Sequence, residues 1–191
     1  FNRSGVDVQQ ELLRSGLVLP NIMRRETINE GLYWRTAQEA AAAGAGLFSK
    51  TMCGVGPAQD AALRLMINYN ADGNDRQNPN GKYARIRNDG ATPVNLGRWY
   101  LRTARHAKFV FPAGTVVPPG GEILVHQGRG SNGGGHFYWG NAQAFTNPQA
   151  SRYRVGGGYL VDPQGDLRAW TLYPCQVNCV NPLAGRVGLS A

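Results

Sequence analysis

The residues of this chain that could do chemistry fall into a few groups. Cys175 and Cys179 stand four apart, and Cys53 lies far upstream. Zinc wants four ligands, usually from paired C-x₂₋₄-C motifs or with two histidines. His106, His126 and His136 stand at no ligand-like spacing and beside no nucleophile pattern, and G-x-S-x-G is absent. Neither a metal centre nor a histidine-based triad is expected. A local Cys175–Cys179 disulfide in a proline-flanked, irregular segment is the better reading, and it places the protein outside the cytosol. Cys53 is then left over, either free or paired outside this chain.

Two further motifs fail on context. Asn70 to Asp75 offers oxygen ligands, but Asp75 stands where an EF-hand needs glycine and no glutamate follows at the twelfth place. A turn rich in Asn, Asp and Gly is expected there, with Asp72 and Asp75 as a weak calcium candidate. Gly128-Arg129-Gly130-Ser131-Asn132-Gly133 matches G-x-G-x-x-G after a strand. A dinucleotide site also needs a helix whose N-terminus holds the pyrophosphate. Gly134 to Trp139 follows instead, so a flexible inter-strand loop is expected. Glu122 is the one glutamate after residue 39, so a glycosidase pair would have to come from aspartates in turns.

What remains is a basic set: Arg64, Arg85, Arg87, Arg98, Arg102, Arg105 and Lys108, interleaved with Tyr83 and Tyr100. The chain carries 20 Lys and Arg against 12 Asp and Glu, a net charge of +8, and residues 54–191 hold 14 of the former against 7 of the latter. Arginines among aromatics can grip a phosphate backbone and stack bases. If successive strands pair in order, Arg85, Arg87, Arg98 and Arg102 share one face, with Arg105 and Lys108 beside them. Such a face would hold DNA, RNA or another polyanion; the alternative is a solvated sheet surface.

These side chains need a scaffold, and the composition narrows it. With 191 residues, 42% of them hydrophobic, the chain can bury a core and is not disordered. Charged residues at 17%, with 26 Gly and 11 Pro, exclude a coiled coil or an ordinary helical bundle. No apolar run is long enough for a transmembrane helix, and the opening Phe1-Asn2-Arg3-Ser4-Gly5 shows neither Met nor a signal peptide. The chain is expected to begin inside a longer protein.

Residues 1–53 read as two helices. Ser4 to Asp7 has capping-box spacing, Val8, Leu12 and Leu13 follow at helical period, and Gly16 sits at a helix end. Thr27 to Glu30 repeats the cap spacing, and the alanine-rich run from Leu32 to Ala43 stops at Gly44 and Gly46. From residue 61 the period becomes two: Leu63/Leu65/Ile67, Ala84/Ile86, Trp99/Leu101, Phe109/Phe111 and Ile123/Val125, with further strands at 136–139, 158–162 and 167–173. Seven or eight short strands between turn clusters predict a mainly β protein, an antiparallel immunoglobulin-like β-sandwich behind a two-helix segment. The division is expected at 1–53 and 54–191, the latter ending in an irregular tail.

Two resemblances sharpen this reading. Gly81 to Asn88, Val94-Asn95-Leu96-Gly97-Arg98-Trp99-Tyr100-Leu101 and Phe109-Val110-Phe111-Pro112-Ala113-Gly114-Thr115 through Gly120 follow the order and spacing of the lamin tail domain, and Val161 to Gly165 fits its later strand-turn. Residues 61–173 therefore resemble that immunoglobulin-like family. Val8 to Leu17, and Ala37 to Ala40 through Gly46-Leu47-Phe48, resemble the last two helices of staphylococcal thermonucleases, with Phe48 in place of the usual Trp. This second resemblance implies a secreted parent phosphodiesterase, an endonuclease. Its catalytic arginines, glutamate and calcium-binding aspartates lie on an upstream barrel whose motifs this chain lacks. No catalytic residue and no cofactor are expected here, and calcium belongs to that barrel. The chain would then be a non-catalytic accessory part that binds nucleic acid or an anionic envelope, with the barrel as a further partner. The alternative is a structural or protein-interaction module.

Overall fold

The computed structural model describes residues 1–20, 29–49, 60–145, 147 and 156–173. Among the described residues ten strands follow two α-helices: β1 Leu63–Asn68, β2 Tyr83–Asn88, β3 Val94–Asn95, β4 Tyr100–Thr103, β5 Lys108–Val110, β6 Val116–Val117, β7 Glu122–His126, β8 His136–Tyr138, β9 Gly156–Val161 and β10 Leu167–Tyr173. They form a sheet of order β1-β2-β7-β8, a second of order β10-β9-β4-β5, and a two-stranded ribbon β3-β6. The period-two pattern does what it must: in β1 the side chains alternate buried and half-buried, because successive residues face opposite sides of a sheet. Leu65, Ile86 and Val125 from the first sheet share one hydrophobic core with Leu101 and Leu160 from the second and with Trp99 and Phe111. Each such side chain contributes roughly 1.5–3 kcal/mol on burial.

Asn88 explains why a strand ends in a buried amide. It is fully buried, its Nδ2 donates to the carbonyls of Thr92 (2.7 Å) and Val117 (3.1 Å), and its Oδ1 accepts from the Gly90 N–H. It thereby pins the end of β2 to the ribbon. Thr115 closes the next turn by donating to the Pro112 carbonyl at 2.8 Å.

Helix α1 spans Val8–Arg14 and α2 spans Glu30–Ala42. The cap of α1 is not Ser4 but Asp7, whose Oδ1 accepts from the Gln9 and Gln10 N–H groups. A carboxylate there also meets the positive helix end. Asn29 caps α2 by accepting from Leu32 N–H; Thr27 lies outside the described residues. Both helices end in the same motif, with Leu17 N–H on Leu12 O and Gly16 N–H on Leu13 O in α1, and Ala45 N–H on Ala40 O and Gly44 N–H on Ala41 O in α2. Gly16 and Gly46 then touch backbone to backbone: a Cβ on Gly16 would lie 2.2 Å from Ala45 O, and one on Gly46 2.5 Å from Ser15 O. Tyr33 adds a second tie by donating its hydroxyl to Asp7 Oδ2 at 2.7 Å. That bond holds the Asp7 carboxyl below its ordinary pKa and raises the Tyr33 phenol. The helical segment reaches the sandwich where the Phe48 ring meets Trp170, centroids 5.1 Å apart.

Three expectations need correction. The sheets are not wholly antiparallel, since β8 pairs with β7 in parallel. The Gly128 to Gly135 loop that joins them is tied down at two of its glycines, although residues 129–134 are exposed. Gly128 lies against Asn80 and Gly130 against the Tyr138 ring, so closely that a Cβ at either position would sit within 2.5 Å of them. Asn80 Nδ2 also donates to Arg129 O, and Tyr138 N–H to Asn132 Oδ1. The third correction concerns the basic face and is given below. Cys53, Cys175 and Cys179, with the expected disulfide, lie outside the described residues.

Candidate functional site

The seven cations do not share one face. Strand β2 belongs to the first sheet and β4 to the second, because β3 turns the chain away into the ribbon and it re-enters on the other layer. Arg85 and Arg87 therefore point out of one side of the sandwich and Arg102 out of the other. Arg98 is on neither strand; it sits in the turn before β4 at φ 70°.

On the first sheet, cross-strand register builds three outward rows: Arg64–Arg87–Glu122, Met66–Arg85–Leu124–His136, and Asn68–Tyr83–His126–Tyr138. The cations here have partners. Asp89 receives Arg64 at 2.6 Å and Arg87 at 3.0 Å. Arg85 reaches Glu122 at 4.0 Å and Met66 Sδ at 3.2 Å.

The second sheet differs. Residues 90–121 contain no carboxylate, and among the described residues none lies within ion-pair distance of Arg98, Arg102, Arg105 or Lys108, all of them exposed. Arg102 and Lys108 are direct cross-strand partners, an arrangement that is destabilising for like charges. Arg102 leans on the His106 imidazole, and Lys108 sits 3.8 Å over the Tyr100 ring. Beside Arg102 on the same face, Tyr159 is its β9 partner. Its burial pushes the phenol far up despite the Arg102 charge, so it stays a neutral wall.

Arg105, at the β4–β5 turn, also borders a cleft of about 720 Å³ with Arg76, Lys82, Gln127 and Asn147. The Lys82 ammonium lies in its wall, donating to Asp75 Oδ2 at 2.8 Å and to Phe145 O at 3.3 Å. Burial pushes the Asp75 carboxyl up, but hydrogen bonds from Lys82 and Asn147 and the Lys82 charge outweigh it and leave the pKa lowered. Asp75 is engaged by a lysine and by the Ala71 N–H, and no cluster of three or more metal-ligating side chains occurs among the described residues.

Sequence spacing missed three arrangements. Lys82 and Asp75 meet across a loop. Arg168 is buried between Asp162 and Asp166, 2.7 Å from each. His126 and His136, ten residues apart, are joined by a 2.9 Å N···N contact because β7 and β8 run in parallel.

The architecture defines a class: an immunoglobulin-like β-sandwich that serves as a binding or structural module. The family model of the lamin tail domain matches residues 58–174, and this chain belongs to the lamin tail domain family. No curated protein matches it. Among the described residues no helix is long and apolar enough to cross a membrane.

Proposed function

We propose that this chain is a non-catalytic accessory module that holds polyanions, nucleic acid first among them, on the β4–β5 hairpin. The observation that carries the reading is the Arg102–Lys108 cross-strand pair in a stretch without a carboxylate. Two like charges placed opposite one another cost stability that a bound phosphate backbone returns. The Tyr100 ring holds the Lys108 ammonium on the hairpin surface, while Arg105 and Arg76 extend the positive track toward the cleft. Arg64, Arg85 and Arg87 hold their own carboxylates and take a lesser part.

In this reading the module follows the helices of a secreted thermonuclease-like enzyme, with the division near residue 54, and brings that barrel to its substrate. The paired helix ends at Gly16 and Gly46 and the aromatic Phe48 support the likeness. Binding should be independent of sequence and weaken by about 0.9 log units per tenfold salt for each phosphate neutralised. A titration of duplex DNA and of heparin at several salt concentrations tests it. Absence of binding at low salt rejects the reading in favour of a structural or protein-interaction module.

A further inference from the structure

We propose that His126 and His136 form a two-histidine site for a divalent transition-metal ion of the zinc–copper type, on the outer face of the first sheet. The proposal does not rest on the polyanion reading, which uses the opposite layer.

The two rings are nearly coplanar, 8° apart, and their centres are separated by 5.2 Å while their facing nitrogens, Nε2 of His126 and Nδ1 of His136, are 2.9 Å apart. That centre separation is as large as one N···N contact and two imidazole radii allow. Both nitrogens therefore lie on the line between the ring centres, one donating and one accepting. The acceptor is identifiable. Nδ1 of His126 faces the Asn80 carbonyl at 2.8 Å, and a carbonyl only accepts, so Nδ1 carries the proton and Nε2 offers its lone pair. A backbone carbonyl on the distal nitrogen is the arrangement that fixes tautomer and orientation in metal-bound histidines. Tyr138 lies nearly parallel to the His126 ring, centroids 5.0 Å apart, and Tyr83 closes another side at 5.8 Å. Asn80 is itself tied to the 128–135 loop through Arg129 O. His126 is thus held, whereas His136, at the start of β8, is exposed and can tilt.

A metal ion takes the place of the proton between the rings. Metal–nitrogen bonds of about 2.0–2.1 Å separate two ligand nitrogens by roughly 2.9 Å at a right angle and roughly 3.4 Å at a tetrahedral one. With His126 held and the metal on its Nε2 lone pair, His136 Nδ1 has to swing roughly 2 Å off the line between the rings to meet it at such an angle, which its exposed place at the start of β8 allows. Two imidazoles suit Zn²⁺, Cu²⁺ and Ni²⁺ rather than Ca²⁺ or Mg²⁺. Among the described residues no third His, Cys, Asp or Glu joins them, so water completes the coordination sphere. The proton on His136 Nδ1 must move to the other nitrogen of that ring for Nδ1 to ligate, and binding weakens as the pH falls because protons compete for the same lone pairs.

The test is a titration of the full chain with Zn²⁺ and, separately, Cu²⁺, with imidazole ¹⁵N NMR in the zinc arm. One equivalent of Zn²⁺ should shift the His126 Nε2 and His136 Nδ1 signals. His136→Ala, at an exposed position, should lower affinity tenfold or more and leave the melting temperature of the metal-free protein unchanged. His126→Gln should do the same to affinity. The proposal is overturned if the wild type binds neither ion up to millimolar concentration, if both variants bind as tightly as the wild type, or if the shifted signals belong to other residues.

Discussion

On the first sheet Arg64 and Arg87 close on Asp89, and Arg85 lies 4.0 Å from Glu122. On the β4–β5 hairpin Arg102 and Lys108 face each other, and among the described residues no carboxylate lies within ion-pair distance of them. The side chains are alike; the difference lies in what surrounds them. An exposed arginine with its own carboxylate contributes about 0–1 kcal/mol to the fold and has little field left for a ligand. The hairpin cations have a ring and an imidazole beside them instead of a carboxylate, set a like-charge cost against those contacts, and keep their field for a partner. Arg168, buried between Asp162 and Asp166, is the far end of the same scale, a cation with two buried carboxylates of the β9–β10 hairpin.

That contrast can be broken at several points. Arg168→Ala leaves two buried carboxylates without their guanidinium, and about 3–5 kcal/mol of stability should be lost; a denaturant melt reads it, and a loss under 1 kcal/mol would mean the triad is not committed to the fold. The Arg102→Ala/Lys108→Ala double variant should melt like the wild type or slightly higher. Its polyanion affinity should fall and its salt slope shrink by up to about two units. An equal drop from Arg64→Ala/Arg87→Ala would erase the distinction between the faces.

The Asp75–Lys82 pair supplies an acid limit. The Asp75 pKa is lowered in the folded state, so its contribution is present above the ordinary carboxylate value of about 4 and is lost as the pH falls through the folded value. Asp75→Asn should lower stability near neutral pH by about 2 kcal/mol, since it leaves the Lys82 ammonium without its counter-charge, and should flatten the acid limb of a pH–stability curve. The smallest effect sharpens the contrast. Asp89→Ala should cost no more than about 1 kcal/mol, yet free Arg64 and Arg87 and raise polyanion affinity measurably on the first sheet.

Much of the scaffold was readable from the chain. Leu63/Leu65/Ile67 and Trp99/Leu101 alternate because each strand has one buried face, and alternation is a local property. The layer to which each strand belongs is not. Arg85 and Arg102 look like neighbours in sequence, and only the two-residue strand β3, too short to leave a periodic signal, sends β4 to the opposite sheet. The helix start was misread for a related reason: Ser4 and Asp7 both have capping chemistry, and Asp7 wins because it also accepts the Tyr33 hydroxyl from the second helix. The histidine pair and the Lys82–Asp75 contact are products of strand register and loop closure, and spacing along the chain carries neither. One composition signal was available, the absence of any carboxylate between residues 90 and 121, and it separates the two groups of cations.

The Phe48–Trp170 contact also sets a schedule for synthesis. Residues 168–171 of β10 are buried, and Trp170 finds one of its partners more than a hundred residues earlier in the chain. At translation rates of roughly 5–20 residues per second, Phe48 waits on the order of ten seconds for Trp170 to be made. Through that interval the α1–α2 pair must hold itself together at the Gly16–Gly46 contact, and its unsatisfied aromatic edge is open to whatever the cell offers nascent chains.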